Sequence, residues 1–190
     1  GEEYKMMGLA SYGVPKYFDK IINNLFESDT KSLFKLNLEF FNHHKPGYNY
    51  IADENLKIDQ IFNEKLNKLF LNDKAQSNNS EQFKKDFASS VQKVYEFFFK
   101  RIISKIFLNK HSNKLVFSGG CALNSSANKI LTETKDYFDD VYINYAPGDN
   151  GGAIGAALVV AHKYLDKIEN LQTPYIGNEY KDDDIIKIIN

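Results

Sequence analysis

Two neighbouring stretches of the chain decide its fold: LVFSGGCALN at residues 115–124 and YINYAPGDNGGAIGAAL at residues 142–158. In each stretch a short run rich in β-branched and aromatic residues leads into a glycine loop and then into a helix of small residues. The pattern over 114–166 is strand, helix, strand, helix, and a crossover of this length predicts parallel strands with a right-handed connection. Both glycine loops are then expected at adjacent strand ends, where open parallel sheets bind nucleotides.

The rest of the sequence predicts mainly helices around this parallel core. A long helix is predicted over about 81–110, where apolar side chains recur every three or four positions and must pack against a sheet or another helix. Shorter helices are predicted over 2–9, 16–27 and 58–70, and a half-buried strand over 33–38. The fold class is therefore α/β.

Composition indicates one globular domain of ordinary size. The 190 residues are 43% hydrophobic and carry a formal net charge of −1, so we expect no binding to nucleic acid and none to a membrane. A single cysteine, Cys121, excludes an internal disulfide and favours a cytoplasmic location. Because Arg101 is the only arginine, an anion would be held by lysines, helix N-termini and backbone N–H groups.

The loop at 118–124 is the first candidate ligand site. Gly119 and Gly120 let the backbone approach a ligand closely, and the following helix offers unpaired N–H groups. The amide of Asn124 can supply both a donor and an acceptor to a ribose or a base edge. The alternative is a tight structural turn with Asn124 on the surface, and the pattern alone leaves both interpretations open.

The loop at 147–152 adds a carboxylate, Asp149, at the end of the second strand. This side chain is suited either to ligate a metal or to cap the next helix, and capping is the more common role. His43 and His44 are adjacent in sequence and point apart, so a clamp of two histidines four positions apart is absent. Cys121 is interpreted as a small packed residue rather than a nucleophile, since no histidine lies near it in sequence.

Three segments together identify a family. They are GEEYKMMGLASYG at 1–13, GGCALN at 119–124 and GDNGGAIGAA at 148–157. In order and spacing they resemble the O-carbamoyltransferases of the nodulation-protein and antibiotic-tailoring type. FASSVQ at 87–92 and YIGNEY at 175–180 resemble the same family.

The resemblance implies an actin-like, hexokinase-like ATPase fold with a mixed sheet, of which this chain is the second half. Residues 1–170 would belong to that domain, and 171–190 would form a linker towards a separate domain that makes carbamoyl-adenylate from carbamoyl phosphate and ATP. The carbamoyl group would then pass to a hydroxyl of a small-molecule or sugar acceptor. The chain would pack on the remaining parts of its own parent protein.

The resemblance also implies roles for individual residues. Asp149 would be one ligand of a divalent metal, iron in preference to magnesium. The family's other two ligands are histidines four apart in an upstream segment, which this sequence does not contain, and it also lacks the family's first phosphate loop. We therefore expect the fragment alone to bind little metal and to have no transferase activity, and no catalytic residue is assigned. The residues expected to bind the nucleotide are Gly119, Gly120, Asn124, Glu2, Lys5, Gly148 and Gly151.

Two other functions stay open. A phosphotransferase or plain ATPase of the same superfold would use the same glycine loops, since fold does not determine chemistry. A non-catalytic interaction module would instead bind a partner through the aromatic long helix and the isoleucine-rich tail at 185–189, with the glycines purely structural.

Overall fold

Helices make up most of the structure. A computed structural model describes residues 3–27, 33–47, 50–51, 57–76, 80–109, 111–133, 137–165, 174–175 and 177–189. Within these residues the α-helices are α1 (Glu3–Ala10), α2 (Phe18–Leu25), α3 (Glu64–Gln76), α4 (Ser80–Leu108), α5 (Ser125–Glu133), α6 (Gly151–Tyr164) and α7 (Asp182–Ile189). The strands are β1 (Tyr50–Ile51), β2 (Lys57–Ile58), β3 (Lys114–Phe117) and β4 (Asp140–Ile143). The predicted α/β class is confirmed.

The described strands form two separate two-stranded sheets. β1 and β2 are antiparallel, with Tyr50 opposite Ile58. β3 and β4 pair in parallel, and α5 lies in the crossover between them, as the strand–helix–strand–helix pattern predicts. Among the described residues, β1 and β2 pair only with each other, and β3 and β4 likewise. These four strands therefore do not form one mixed sheet.

The chain divides into two compact units. The first comprises Gly1–Leu115 and Asn124–Val141, and the second comprises Val116–Leu123 and Tyr142–Asn190. Helices α1 to α5 therefore belong to the first unit, while both glycine loops belong to the second together with α6 and α7.

The core of the first unit forms around α4, a helix of 29 residues. Val94 of α4 is buried together with Ile21, Leu25 and Phe70 from α2 and α3. Full burial of each such side chain stabilises the fold by about 1.5–3 kcal/mol. The predicted apolar stripe of the long helix is confirmed, and its partners are other helices.

A buried carboxylate attaches the segment after α1 to α4. Asp86, which is 1% exposed, accepts hydrogen bonds from the N–H of Val14 at 3.0 Å and from the amide of Gln82 at 2.8 Å. Its other oxygen lies 2.7 Å from the ammonium group of Lys16. Burial acts to raise the pKa of Asp86, but the hydrogen bonds from Lys16, Val14 and Gln82 outweigh it and hold that pKa below its ordinary value.

The same segment is fastened at a second point by Ser90. Its hydroxyl accepts the N–H of Tyr17 at 2.9 Å and donates to the carbonyl of Asp86 at 2.6 Å. Gly13 approaches α4 so closely that a Cβ atom there would lie 2.1 Å from the carbonyl oxygen of Lys85. The segment after α1 is therefore in direct backbone contact with α4, and only glycine permits that contact.

The predicted strand over 33–38 is wrong. Leu36 forms a single antiparallel bridge with Phe26, and a short 3-10 helix follows at Leu38–Phe40. The side chain of Asn37 accepts the N–H of Glu39 at 3.2 Å and so begins that turn. The extended pairing is therefore limited to Leu36, and the chain turns at Asn37. The helices predicted over 2–9, 16–27, 58–70 and 81–110 are present as α1 to α4, with shifted ends.

Candidate functional site

The two glycine loops contact each other in the second unit. The N–H of Gly119 donates to the carbonyl of Pro147 at 2.7 Å, and the hydroxyl of Ser118 donates to the same carbonyl at 3.1 Å. The structure therefore brings together the two loops that the sequence pattern predicts at adjacent strand ends.

The first loop has an exposed backbone that a ligand can reach. Gly119 has a φ of 101°, a left-handed conformation that favours glycine. A 3-10 helix follows at Gly120–Leu123 and carries Cys121 on the surface, so the interpretation of Cys121 as a packed residue is wrong. Apart from the adjoining backbone, no atom of the described residues lies within 4 Å of the place where a Cβ would stand on Gly119 or Gly120. The open space matches a loop that admits a ligand against its backbone.

The second loop is packed more tightly. A Cβ on Gly151 would lie 2.2 Å from the carbonyl oxygen of Ala146, and one on Gly148 would lie 3.3 Å from a methyl carbon of Leu123. The N–H of Gly151 already donates to the carbonyl of Gly148 at 3.0 Å. Packing therefore requires glycine at position 151, whereas a Cβ at position 148 would need only a small shift of the exposed Leu123 side chain, and the N–H of Gly151 is occupied within the turn.

Asp149 has an exposed side chain at the start of α6. The N-cap position is held by Asn150, whose side chain makes no capping hydrogen bond, and the backbone carbonyl of Asp149 accepts the N–H of Gly152 at 3.0 Å. The carboxylate makes no hydrogen bond or ion pair with the described residues, so it does not act as the helix cap that the sequence left open.

The described residues do not form a complete metal site. Among them, no three His, Cys, Asp or Glu side chains stand close enough together to hold an ion. The carboxylate of Asp149 is accessible, but one carboxylate does not complete the coordination shell of iron or magnesium. No chemical step is therefore assigned to a metal in this part of the chain.

Asn124 lies in the first unit, directly before α5. Its side-chain oxygen accepts the N–H of Ala127 at 3.1 Å and so caps the helix. Its amide also forms two hydrogen bonds with the amide of Gln92 on α4, at 3.0 and 3.1 Å. The sequence assigned no role to Gln92, and the FASSVQ motif at 87–92 was the only sign of its importance.

A cleft of about 200 Å³ borders Gln92 in the first unit. Its walls come from α1 and the segment after it, from α4 and from α5, and most of its lining side chains are polar. The lining residues are Met7, Ala10, Ser11, Pro15, Ser89, Gln92, Lys93, Glu96 and Ser126. Hydroxyl, ammonium, amide and carboxylate groups there suit a small polar ligand.

Two further residues that the sequence proposed for the nucleotide are Glu2 and Lys5. Glu2 is outside the described residues. Lys5 is exposed on α1, with its ammonium group 6.0 Å from the centre of the Tyr4 ring. Arg101 lies on α4 with its guanidinium group 5.9 Å from the centre of the Phe97 ring.

The described helices give no sign of a membrane span, because none of them combines sufficient length with a sufficiently apolar sequence.

Fold and loops together define the class: an α/β protein whose parallel strands end in two hydrogen-bonded glycine loops. Residues 1–158 match the family model described as "Carbamoyltransferase N-terminus". The chain belongs to this family, which confirms the carbamoyltransferase resemblance at the level of the family.

Two relatives show how much of such a protein the chain represents. It is 34% identical to the uncharacterized protein sll1178 of Synechocystis sp., over 96% of this chain and 29% of the relative. It is 29% identical to the uncharacterized protein MJ1058 of Methanocaldococcus jannaschii, over 80% of this chain and 25% of the relative. The chain therefore spans less than a third of the length of these relatives.

Proposed function

We propose that this chain is part of an ATP-dependent O-carbamoyltransferase of the cytoplasm. The whole protein would use carbamoyl phosphate and ATP to make carbamoyl-adenylate, and would then carbamoylate a hydroxyl of a small-molecule or sugar acceptor. Membership of the carbamoyltransferase family supports this reaction class. The observation that carries the proposal is the exposed backbone of Gly119 and Gly120 at the end of β3, with open space beside it.

The proposal includes the architecture of the whole domain. Residues 1–170 would form the second half of an actin-like ATPase domain, and 171–190, which contain α7, would lead towards the domain that makes carbamoyl-adenylate. The parallel pair β3 and β4 supports this assignment, because such folds place glycine loops at parallel strand ends. The chain would pack on the other parts of its parent protein.

The glycine loop is the proposed contact for the adenylate. The open space beside Gly119 and Gly120 would let an anionic group approach the backbone of this loop without a side chain in its way, although the N–H of Gly119 itself is bonded to Pro147. Lys5 is also proposed to bind the nucleotide, as a lysine exposed on α1. The other residues proposed to bind the nucleotide are Asn124, Glu2, Gly148 and Gly151.

The chemistry required is acyl transfer. The acceptor oxygen attacks the carbamoyl carbon and releases its proton to the solvent, the carbonyl oxygen becomes an oxyanion, and the bond to AMP breaks as the new carbamate ester forms. Donors that point at this oxyanion lower the barrier because its charge develops in the transition state. Asp149 is our candidate for one ligand of an iron or magnesium ion whose other ligands would come from residues beyond those described.

The test separates the proposal from an ATPase or phosphotransferase. The whole protein is incubated with ATP, with or without ¹⁴C-carbamoyl phosphate, and the nucleotide products are resolved. We expect AMP and pyrophosphate to form only when carbamoyl phosphate is present, and radiolabel to enter an acceptor hydroxyl. Release of ADP and phosphate without any need for carbamoyl phosphate would contradict the proposal and support an ATPase.

The same assay tests the interaction module. The observation that favours such a module is α7, where Ile188 is 84% and Ile189 77% exposed. A protein that binds a partner through α7 but neither binds nor consumes ATP would contradict the carbamoyltransferase proposal.

A further inference from the structure

A row of hydrogen bonds runs from Glu96 through Gln92 to Asn124 in the first unit. The side-chain nitrogen of Gln92 donates to the carboxylate of Glu96 at 3.1 Å and to the side-chain oxygen of Asn124 at 3.1 Å. The nitrogen of Asn124 donates back to the oxygen of Gln92 at 3.0 Å. Since Asn124 also accepts the N–H of Ala127, the row connects α4 to the first turn of α5.

The chemistry at the two ends of this row determines how both amides are oriented. An ionised carboxylate only accepts hydrogen bonds, so the part of Gln92 that faces Glu96 must be its NH₂ group. A backbone N–H only donates, so the part of Asn124 that faces Ala127 must be its oxygen. With both ends set in this way, each bond of the row pairs a donor with an acceptor. Flipping either amide would place two donors or two acceptors opposite each other.

One hydrogen-bonding group of Asn124 is left over. Its oxygen accepts from Gln92 and from Ala127, which uses both lone pairs, and one proton of its nitrogen goes to Gln92. The second proton has no partner among the described residues, and the side chain is half-buried rather than enclosed. Asn124 can therefore offer a ligand only a donor, not the donor and acceptor that the sequence suggested.

We propose that Gln92 is a positioning residue for the nucleotide. Through its two hydrogen bonds it turns the Asn124 amide so that one N–H projects towards an acceptor atom of the nucleoside, either a ribose oxygen or a ring nitrogen of the base. Gln92 acts on the ligand through Asn124. This inference rests on the proposed function, which assigns Asn124 to the adenylate.

Gln82 provides a matched control on the same helix. Its side-chain nitrogen donates to the carboxylate of Asp86 at 2.8 Å, four residues further along, as Gln92 donates to Glu96. Both glutamines are half-buried. Gln82→Leu and Gln92→Leu therefore remove the same kind of amide–carboxylate bond from α4, but only the second removes a partner of Asn124.

The experiment measures the ATP affinity of the whole protein by calorimetry, fitted as two sites because the domain proposed to make carbamoyl-adenylate also takes ATP, and the effects below concern one of these two sites. We expect Asn124→Ala and Gln92→Leu each to weaken ATP binding about tenfold, which corresponds to the loss of one hydrogen bond. The double variant should bind no more weakly than Asn124→Ala alone, because both changes remove the same contact. Gln82→Leu should stay within about twofold of the unchanged protein.

A second measurement follows the asparagine amide directly. In protein labelled with ¹⁵N-asparagine, one side-chain proton of Asn124 should exchange slowly with water and the other rapidly, and ATP should slow the second. Gln92→Leu should abolish the difference between the two protons. Repeating the calorimetry with 2′-deoxy-ATP and 3′-deoxy-ATP distinguishes the acceptor atoms: the tenfold effect of Asn124→Ala disappears with one of them for a ribose contact and persists with both for a base contact.

The outcomes distinguish failure of this inference from failure of the proposed function. If Gln92→Leu affects ATP binding no more than Gln82→Leu, or if its effect adds fully to that of Asn124→Ala, the positioning role is wrong while Asn124 keeps its assignment. If Asn124→Ala binds ATP like the unchanged protein, the assignment of Asn124 itself is wrong, and the positioning role fails with it.

Discussion

The segment after α1 and the first glycine loop are both built around glycine, yet the surroundings of the glycines are opposite. At Gly13 an added Cβ would lie 2.1 Å from a carbonyl oxygen of α4, whereas nothing lies within 4 Å of the same point on Gly119 or Gly120. In the first region glycine lets two backbones meet. In the second no described residue fills the space, so changes there should affect folding less, and under the proposed function they should affect ligand binding.

The largest effect is expected for Gly13→Ala. The new methyl group would overlap the backbone of Lys85, which cannot move without disturbing α4, so we expect a loss of about 3 kcal/mol in the free energy of unfolding. Urea denaturation measures it. The control is Gly8→Ala on the exposed side of α1, which has nothing within 4 Å and should gain about 0.5–1 kcal/mol because alanine favours helices. Equal effects of the two changes would show that the close backbone contact at Gly13 does not require glycine.

The next effect concerns Asp86, which holds the same segment. Replacing it with alanine leaves the N–H of Val14 and the amide of Gln82 unpaired, so we expect a loss of about 2–3 kcal/mol at pH 7. Chemical denaturation at neutral pH measures this loss. An Asp19→Asn variant, which changes an exposed carboxylate on α2, should lose no more than about 0.5 kcal/mol.

Asp86 also predicts how stability depends on pH. Its folded-state pKa is lower than the unfolded value, so its contribution is present above the unfolded pKa and is lost as the pH falls through the folded one. The stability difference between the unchanged protein and Asp86→Asn should therefore shrink in acid, below about pH 4. A difference that stays constant from pH 7 to pH 2 would show that the charge of Asp86 is not what holds the segment.

A smaller effect on folding but a clear one on binding is expected for Gly120→Leu. The side chain would enter open space, so unfolding should change by no more than about 0.5 kcal/mol. It would also fill the proposed approach to the backbone, and ATP affinity should fall at least about tenfold. Thermal unfolding and calorimetry on the same sample test both parts. Undiminished ATP binding by a correctly folded variant would make the open loop a purely structural turn.

The smallest effect is expected for Cys121→Ser in the same loop. The thiol is exposed, and the proposed transfer passes directly from the adenylate to the acceptor hydroxyl, so kcat should change less than about twofold. Mass spectrometry of the protein under turnover is the complementary check. A carbamoyl thioester on Cys121 together with loss of activity in the variant would require a covalent mechanism instead.

Sequence patterns predicted the parts of the fold whose cause is local or periodic. The apolar stripe of α4 identified a long packed helix, and the alternation of strand and helix over 114–166 identified the parallel pair. The same reasoning failed over 33–38, where only Leu36 pairs as in a strand and a 3-10 helix begins at Leu38, with the N–H of Glu39 donating to the side chain of Asn37. Periodicity does not detect a competing cap of that kind.

The candidate site was likewise predictable from the sequence only in part. Sequence alone located the glycine loops, Asn124 and Asp149, because turn geometry and helix starts use characteristic residues at short spacing. It did not reveal that Asn124 pairs with Gln92, since the two are separated by 32 positions. It also did not show that Gly151 packs against the carbonyl oxygen of Ala146, where a Cβ would not fit, while Gly120 has open space beside it.

The sequence by itself determined the α/β class, the long helix, the position of the two glycine loops and membership of the carbamoyltransferase family, because each depends on residue types at fixed spacing along the chain. Only the tertiary structure decided which glycines pack against other backbone atoms and which have open space beside them. It also decided that Asp86 and Ser90 hold the segment after α1, and that Asn124 can offer a ligand only a hydrogen-bond donor. These properties depend on distances between residues far apart in sequence, which are set when the helices pack.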